Sequence, residues 1–349
     1  MVTMITAARK GVLSPMSADD QPRNLSDETK AVNPDGQVCD LSEDEKLSVD
    51  ITSLRTVPKP RIWTALVVGM LAIILATIVA TFVTLVAVIV DAGRETLAES
   101  NLFFAWIQEF SSRPQGLIVL LLPGQVVFLI IALGAAWLSP VSVYERVGFV
   151  KGRLPILMWP LIMAGTPFVG WLAHLLLLGL FDHTGEQLEM LDQMVGHQQG
   201  GALVLVFFLV AMMPGISEEI LFRGYVQRRL LARLPVWAAI GISSSLFATA
   251  HMEPLHIIAV FPLGLWLGVV AWRSGSVILV ILCHIMNNTL AIVSSQSGVG
   301  DVAHDGADPF PLIGLSLSGA FFLVALFCLG WTTRESVLPT SGTNDDRPV

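Results

Sequence analysis

Charge is what this sequence has least of. Of its 349 residues only 14% are Asp, Glu, Lys or Arg, where an average soluble domain carries about one quarter. That shortage, with 54% hydrophobic residues and a mean hydropathy of +0.70, excludes an ordinary soluble chain, because the apolar excess must face lipid. Cysteine is also sparse. Cys39, Cys283 and Cys328 form no pair spacing of the metal or redox kind. No internal repeat is visible, which argues against a transporter built from inverted repeats. The opening residues "MVTMITAARKGVLSPMSADD" lack an apolar stretch, so no signal peptide is expected.

Long hydrophobic runs are what is present. Runs of about 20 apolar residues read as membrane-spanning helices, and eight are predicted, over 63–90, 116–138, 155–181, 201–222, 235–251, 254–272, 276–296 and 312–331. The fold class is therefore an all-α polytopic membrane protein of about eight transmembrane helices. The net charge of −8 gives no reason to expect a nucleic-acid partner, because the charges are sorted by loop rather than gathered into a patch. Lys and Arg crowd the first 62 residues, the loop of Arg146, Lys151 and Arg153, the hairpin of Arg223, Arg228, Arg229 and Arg233, and Arg273, Arg334 and Arg347. The intervening loops hold only Arg94 and Arg113. By the positive-inside rule both termini are expected in the cytoplasm, which requires an even number of spans. Residues 1–60 carry no periodic apolar face and are expected to be a disordered tail. The membrane domain then covers 61–333, and 334–349 is a short disordered tail.

Ionisable groups inside a bilayer are costly and mark functional sites by default. They fall at Glu218, Glu219 and Arg223 in "EEILFR", at His251, at His284 with Asn287 and Asn288, and at His174. Glu219 and Arg223 are four residues apart with the acid first, the favourable order for a pair on one helical face. Glu218 is rotated about 100° away, has no partner on its own helix, and must find one elsewhere or take up a proton. Glu218 lies sixteen residues before Leu234 and His251 seventeen after it, so an antiparallel hairpin puts both at one depth. His284 and Asn288 share a face of the seventh span. A carboxylate beside a histidine can activate water, and a histidine with an amide can hold an oxyanion. Two histidines and a glutamate are equally the ligands of a catalytic zinc.

"EEILFR", "FATAH" (Phe247 to His251), "FPLGLWLG" (Gly264, Gly268) and "HIMNN" (His284 to Asn288) resemble, in order and spacing, the motifs of the CPBP or Abi family. This is a family of intramembrane proteases related to type II CAAX prenyl endopeptidases and to bacteriocin-processing or immunity proteins. The motif-bearing core is about 150–300. The resemblance implies that Glu218 and His251 activate water, that His284 and Asn288 bind the oxyanion, and that Glu219, Arg223 and Phe247 support the site. It implies a hydrophobic or lipidated peptide substrate within the lipid bilayer. No cofactor is favoured; the alternative is a divalent metal such as zinc on Glu218, His251 and His284. Gly264 and Gly268 are spaced for close helix packing.

Other intramembrane protease classes lack their signatures. There is no HExxH and no GxSG. "GVGD" (Gly298 to Asp301) resembles an element of presenilin-like aspartyl proteases, but neither Tyr144 nor Tyr225 is followed by Asp. The alternative to an enzyme is a non-catalytic immunity factor or scaffold that keeps the polar cluster for packing.

Overall fold

The computed structural model describes residues 30–32, 38–40, 61–139, 142–181, 183–196, 198–297 and 310–335. The chain divides into two units, Met1–Pro58 and Lys59–Val349. In the first unit β1 (Lys30–Val32) pairs antiparallel with β2 (Val38–Asp40), with Ala31 opposite Cys39. The remainder of the tail expected over 1–60, the GVGD loop and the tail beyond Glu335 lie outside the described residues.

The second unit is helical. Its elements are α1 (Ile62–Ala92), α2 (Ser100–Ser111), α3 (Pro114–Trp137), α4 (Val143–Val147), α5 (Trp159–Phe181), α6 (Glu186–Gly196), α7 (Gly200–Leu231), α8 (Val236–Thr249), α9 (Pro254–Ser274), α10 (Val277–Gln296) and α11 (Phe310–Glu335). Each of the eight predicted spans is a helix. Seven are long and apolar enough to cross a bilayer, and α8, the fifth, is the shorter one. The protein is an integral, multi-pass membrane protein. The acidic stretch between the third and fourth spans contains α6.

Packing follows residue size. On α1, Ala65, Gly69, Ala72 and Ala76 form one buried stripe at intervals of four, three and four residues. Ala65, Ala72 and Ala76 share a buried cluster with Phe128, Ala132 and Ala136 of α3, which recur at every fourth position, while Gly69 lies against Leu246 of α8 and Val226 of α7. Small residues let two backbones approach where no hydrophobic drive separates helix from lipid. The large side chains of α1 point outward, Phe82 at 65% and Val90 at 81% exposure, as a lipid-facing surface requires. Two helices organise the bundle: α7 touches α1, α3, α4, α8, α9 and α10, while α5 packs against α9, α10 and α11.

Pro214 lies inside the fourth predicted span, yet α7 is not one regular α-helix with a kink at that residue. Instead α7 contains two π-helical stretches, Phe207–Met212 and Glu219–Gln227, around the α-helical turn Met213–Glu218. Pro214 accounts for the first of the two. It has no N–H, so in a regular α-helix the carbonyl four residues back, that of Val210, loses its donor. The Asn288 side chain of α10 supplies one, Nδ2 to the Val210 oxygen at 2.9 Å. π-Turns of this kind are frequent at functional sites.

Candidate active site

Nearly every residue singled out from sequence converges on α7. Glu219 is fully buried, and its Oε1 accepts from Arg223 at 2.9 Å and from His284 Nδ1 at 2.7 Å. The pair expected on one face of α7 is therefore formed, and it is a triad that ties α7 to α10. Arg223 is equally buried. Its second terminal nitrogen donates to the Gly264 carbonyl of α9 at 3.0 Å, and its guanidinium carbon lies 4.1 Å from the centre of the Phe247 ring. Cation–π contact of this kind gains strength when desolvated.

The two glycines of α9 make that contact possible. A Cβ on Gly268 would lie 2.8 Å from Ile240 of α8, and one on Gly264 would lie 3.1 Å from the Phe247 ring. Their carbonyls form a ladder, since Gly264 accepts from Arg223 and Gly268 accepts from Gln227 at 2.8 Å. Donors four residues apart on α7 thus meet acceptors four residues apart on α9.

Phe247 supports both histidines. Its ring stands edge-on to His251 at 5.3 Å and to His284 at 5.9 Å. His251 Nδ1 lies 3.2 Å from the Phe247 carbonyl. A carbonyl only accepts, so Nδ1 carries the proton of that bond and Nε2 of the neutral ring is left as the base. The chain reverses directly after His251. Met252 has φ 63°, and the Glu253 N–H closes back on the His251 carbonyl at 2.7 Å. This is a γ-turn in the strained sense. Glu253 then caps α9 by accepting from Leu255 and His256 N–H groups.

Glu218 stands apart from the triad, as the helical rotation requires. It is 5% exposed, and both it and His284 lie within electrostatic range of His251. Its Oε1 accepts from Gln125 Nε2 of α3 at 3.1 Å, while Oε2 is buried without a protein donor. Asn288 has one N–H on Val210, and its Oδ1 accepts from Asn287 at 3.1 Å. His174 is not among the contacts of this cluster. Among the described residues no three His, Cys, Asp or Glu side chains form a group that could hold a metal ion. Glu219 is taken by Arg223 and His284, and Glu218, His251 and His284 are not arranged as a ligand trio.

Two participants escaped the sequence reading. Gln125 is the one polar side chain in the interior of α3, and a search limited to ionisable groups passes it over. His256, whose ring centre is 4.4 Å from that of His251 and whose Nδ1 meets Gln187 Oε1 at 2.9 Å, lies beyond the matched motifs.

A bundle of membrane-spanning helices that buries two glutamates, two histidines and an arginine defines a polytopic membrane protein with an enzyme-like polar centre. Residues 200–290, which carry all four motifs, match the family model described as type II CAAX prenyl endopeptidase Rce1-like. This match bears out the resemblance read from the motifs and supports a membrane peptidase of the CAAX type in general. No curated protein and no solved structure matches the chain.

Proposed function

We propose that this protein is an intramembrane endopeptidase. It hydrolyses a peptide bond of a membrane-anchored or hydrophobic substrate, with a prenylated CAAX-like peptide as the class implied by the family match, and both of its termini are cytoplasmic. The observation that carries this reading is the buried Glu218 carboxylate, with one oxygen held by Gln125 and the other without a protein donor, in electrostatic range of His251. Glu219 Oε2 also lacks a protein donor, but the other oxygen of Glu219 is bound to Arg223 and His284. Among the described residues Glu218 has only a neutral amide as its hydrogen-bond partner, which supports reading it as the general base.

Glu218 Oε2, with His251 Nε2, takes a proton from water as the water oxygen attacks the carbonyl carbon. The oxyanion forms between the Nε2 edge of His284, whose Nδ1 is held by Glu219, and the second N–H of Asn288. Donors fixed before reaction cost no reorganisation when charge develops, and one such donor is worth roughly 10²–10³ in rate. The proton then passes to the leaving amine as the C–N bond breaks. Glu219, Arg223 and Phe247 hold the two histidines in place.

The test is cleavage of a farnesylated peptide of CAAX form by purified protein in liposomes, read by mass spectrometry with and without chelator. Wild type cleaves, chelator has no effect, and Glu218→Gln is inactive while unfolding at the wild-type temperature. Full activity of Glu218→Gln removes Glu218 as base. Chelator-sensitive cleavage transfers Glu218 and the histidines to a metal. Folded wild type that cleaves neither lipidated nor unlipidated hydrophobic peptides favours a non-catalytic immunity factor or scaffold.

A further inference from the structure

Gln125 lies outside the segment that matches the family and on a helix with no titratable residue, yet its side chain is hydrogen-bonded to Glu218. Its Nε2 donates to Glu218 Oε1 at 3.1 Å, and its Oε1 lies 2.5 Å from Ser217 Oγ. Ser217 Oγ is also 2.8 Å from the Met213 carbonyl. A hydroxyl has one proton and two lone pairs. With Met213 and the amide oxygen both acceptors, that single proton has two claimants.

This shortage of protons has a physical resolution. Turned end over end, the Gln125 amide presents Nε2 to Ser217, whose proton then goes wholly to Met213, and presents Oε1 to Glu218. Only a protonated Glu218 can donate to that oxygen. One orientation therefore suits the carboxylate and the other the carboxylic acid, and Ser217 accommodates both by donating in the first and accepting in the second. We propose that Gln125 is a positioning residue for Glu218, an ambidentate partner that keeps Oε1 of the acid hydrogen-bonded in both protonation states through which a general base must pass.

This rests on the reading of Glu218 as that base. In a dry interior a buried polar atom without a partner is costly, so a base that cycles between charged and neutral forms benefits from an amide more than from a fixed donor. The other groups around Glu218 cannot play this part. Glu219 and Arg223 on α7 are bound to each other and to His284 from α10. His251 is anchored to the Phe247 carbonyl, and His256 of α9 contacts His251. Of the remaining charged groups on helices packed against α7, Asp91 of α1 is held by Arg113 and Trp106. Glu145 and Arg146 of α4 lie toward Arg228, and Arg273 at the end of α9 rests on Trp272.

The experiment compares wild type, Gln125→Met, Ser217→Ala and Glu218→Gln on the farnesylated peptide across pH, with infrared titration of the protonated carboxyl band in the same samples. The band lost in Glu218→Gln identifies that acid without reference to catalysis. Removing the amide deprives the carboxylate of a charge-assisted bond and the acid of a weaker neutral one. The acid limb of the rate profile and the infrared midpoint therefore both move to higher pH in Gln125→Met. Its kcat falls about 10- to 100-fold, with KM near wild type. Ser217→Ala moves the same readouts in the same direction by less, and serves alone should Gln125→Met not fold. Unchanged band and unchanged acid limb in a folded variant overturn the proposal. A shifted band together with full activity of Glu218→Gln keeps the hydrogen-bond pairing but removes Glu218 as base, and the positioning role falls with it.

Discussion

Neutralising Glu219 tests the central triad most directly. In Glu219→Gln the shape is kept and an amide oxygen can still accept from Arg223 and His284, but the guanidinium, 1% exposed, loses its counter-charge. Breaking a buried ion pair from one side costs about 3–5 kcal/mol. Glu218 also lies within electrostatic range of Arg223 and offsets part of that cost, so about 3 kcal/mol is expected. At about 2–4 °C per kcal/mol for a chain of this size, the unfolding temperature falls by about 6–12 °C, measured in detergent at one fixed scan rate because unfolding of such a protein is read as a rate. The second arm is Glu219→Gln with Arg223→Met. Replacing both partners by uncharged groups is often nearly neutral, whereas removing one is not, so the double variant unfolds above the single one despite carrying more substitutions. A single variant as stable as wild type, or a double variant less stable than the single, would refute the account of a desolvated charge balanced by Glu219.

Further outcomes follow from the packing and the turns. Gly268→Ala sets a methyl 2.8 Å from Ile240 and lowers stability by about 1–3 kcal/mol through overpacking, whereas Gly241→Ala, with open space at its Cβ, leaves the unfolding temperature within error. Asn288→Ala leaves the Val210 carbonyl without its donor and costs about 1–3 kcal/mol; the loss shrinks in a Pro214→Ala background, where a backbone N–H returns, and equal losses in both backgrounds argue against the pairing. Met252→Gly relieves a positive φ and unfolds at or above the wild-type temperature, while the β-branched Met252→Val loses about 1–3 kcal/mol, both read by the same thermal scan.

The eight helices were legible from the sequence because hydrophobic run length is a local property, and lipid imposes it on each span separately. The different surroundings of Glu218 and Glu219 were legible too, because adjacent residues on a helix point about 100° apart and Arg223 one turn on can serve only one of them. The GxxxG spacing announced a close approach, and the approach is there. Three things depended on tertiary structure. Glu219 meets His284 across 65 residues, and no helical period relates them. The π-turn before Pro214 falls where the proline removes a donor and an amide from α10 supplies one, a balance settled between two helices. Gln125 was unreadable as a partner of Glu218, because an uncharged amide in an apolar run acquires its role only from what the fold places opposite it, here a carboxylate 93 residues away. Sequence fixes which side chains are too polar for lipid; only the packed bundle decides which of them satisfy one another, since in a dry interior each buried donor or acceptor must be matched by a group that arrives from elsewhere in the chain.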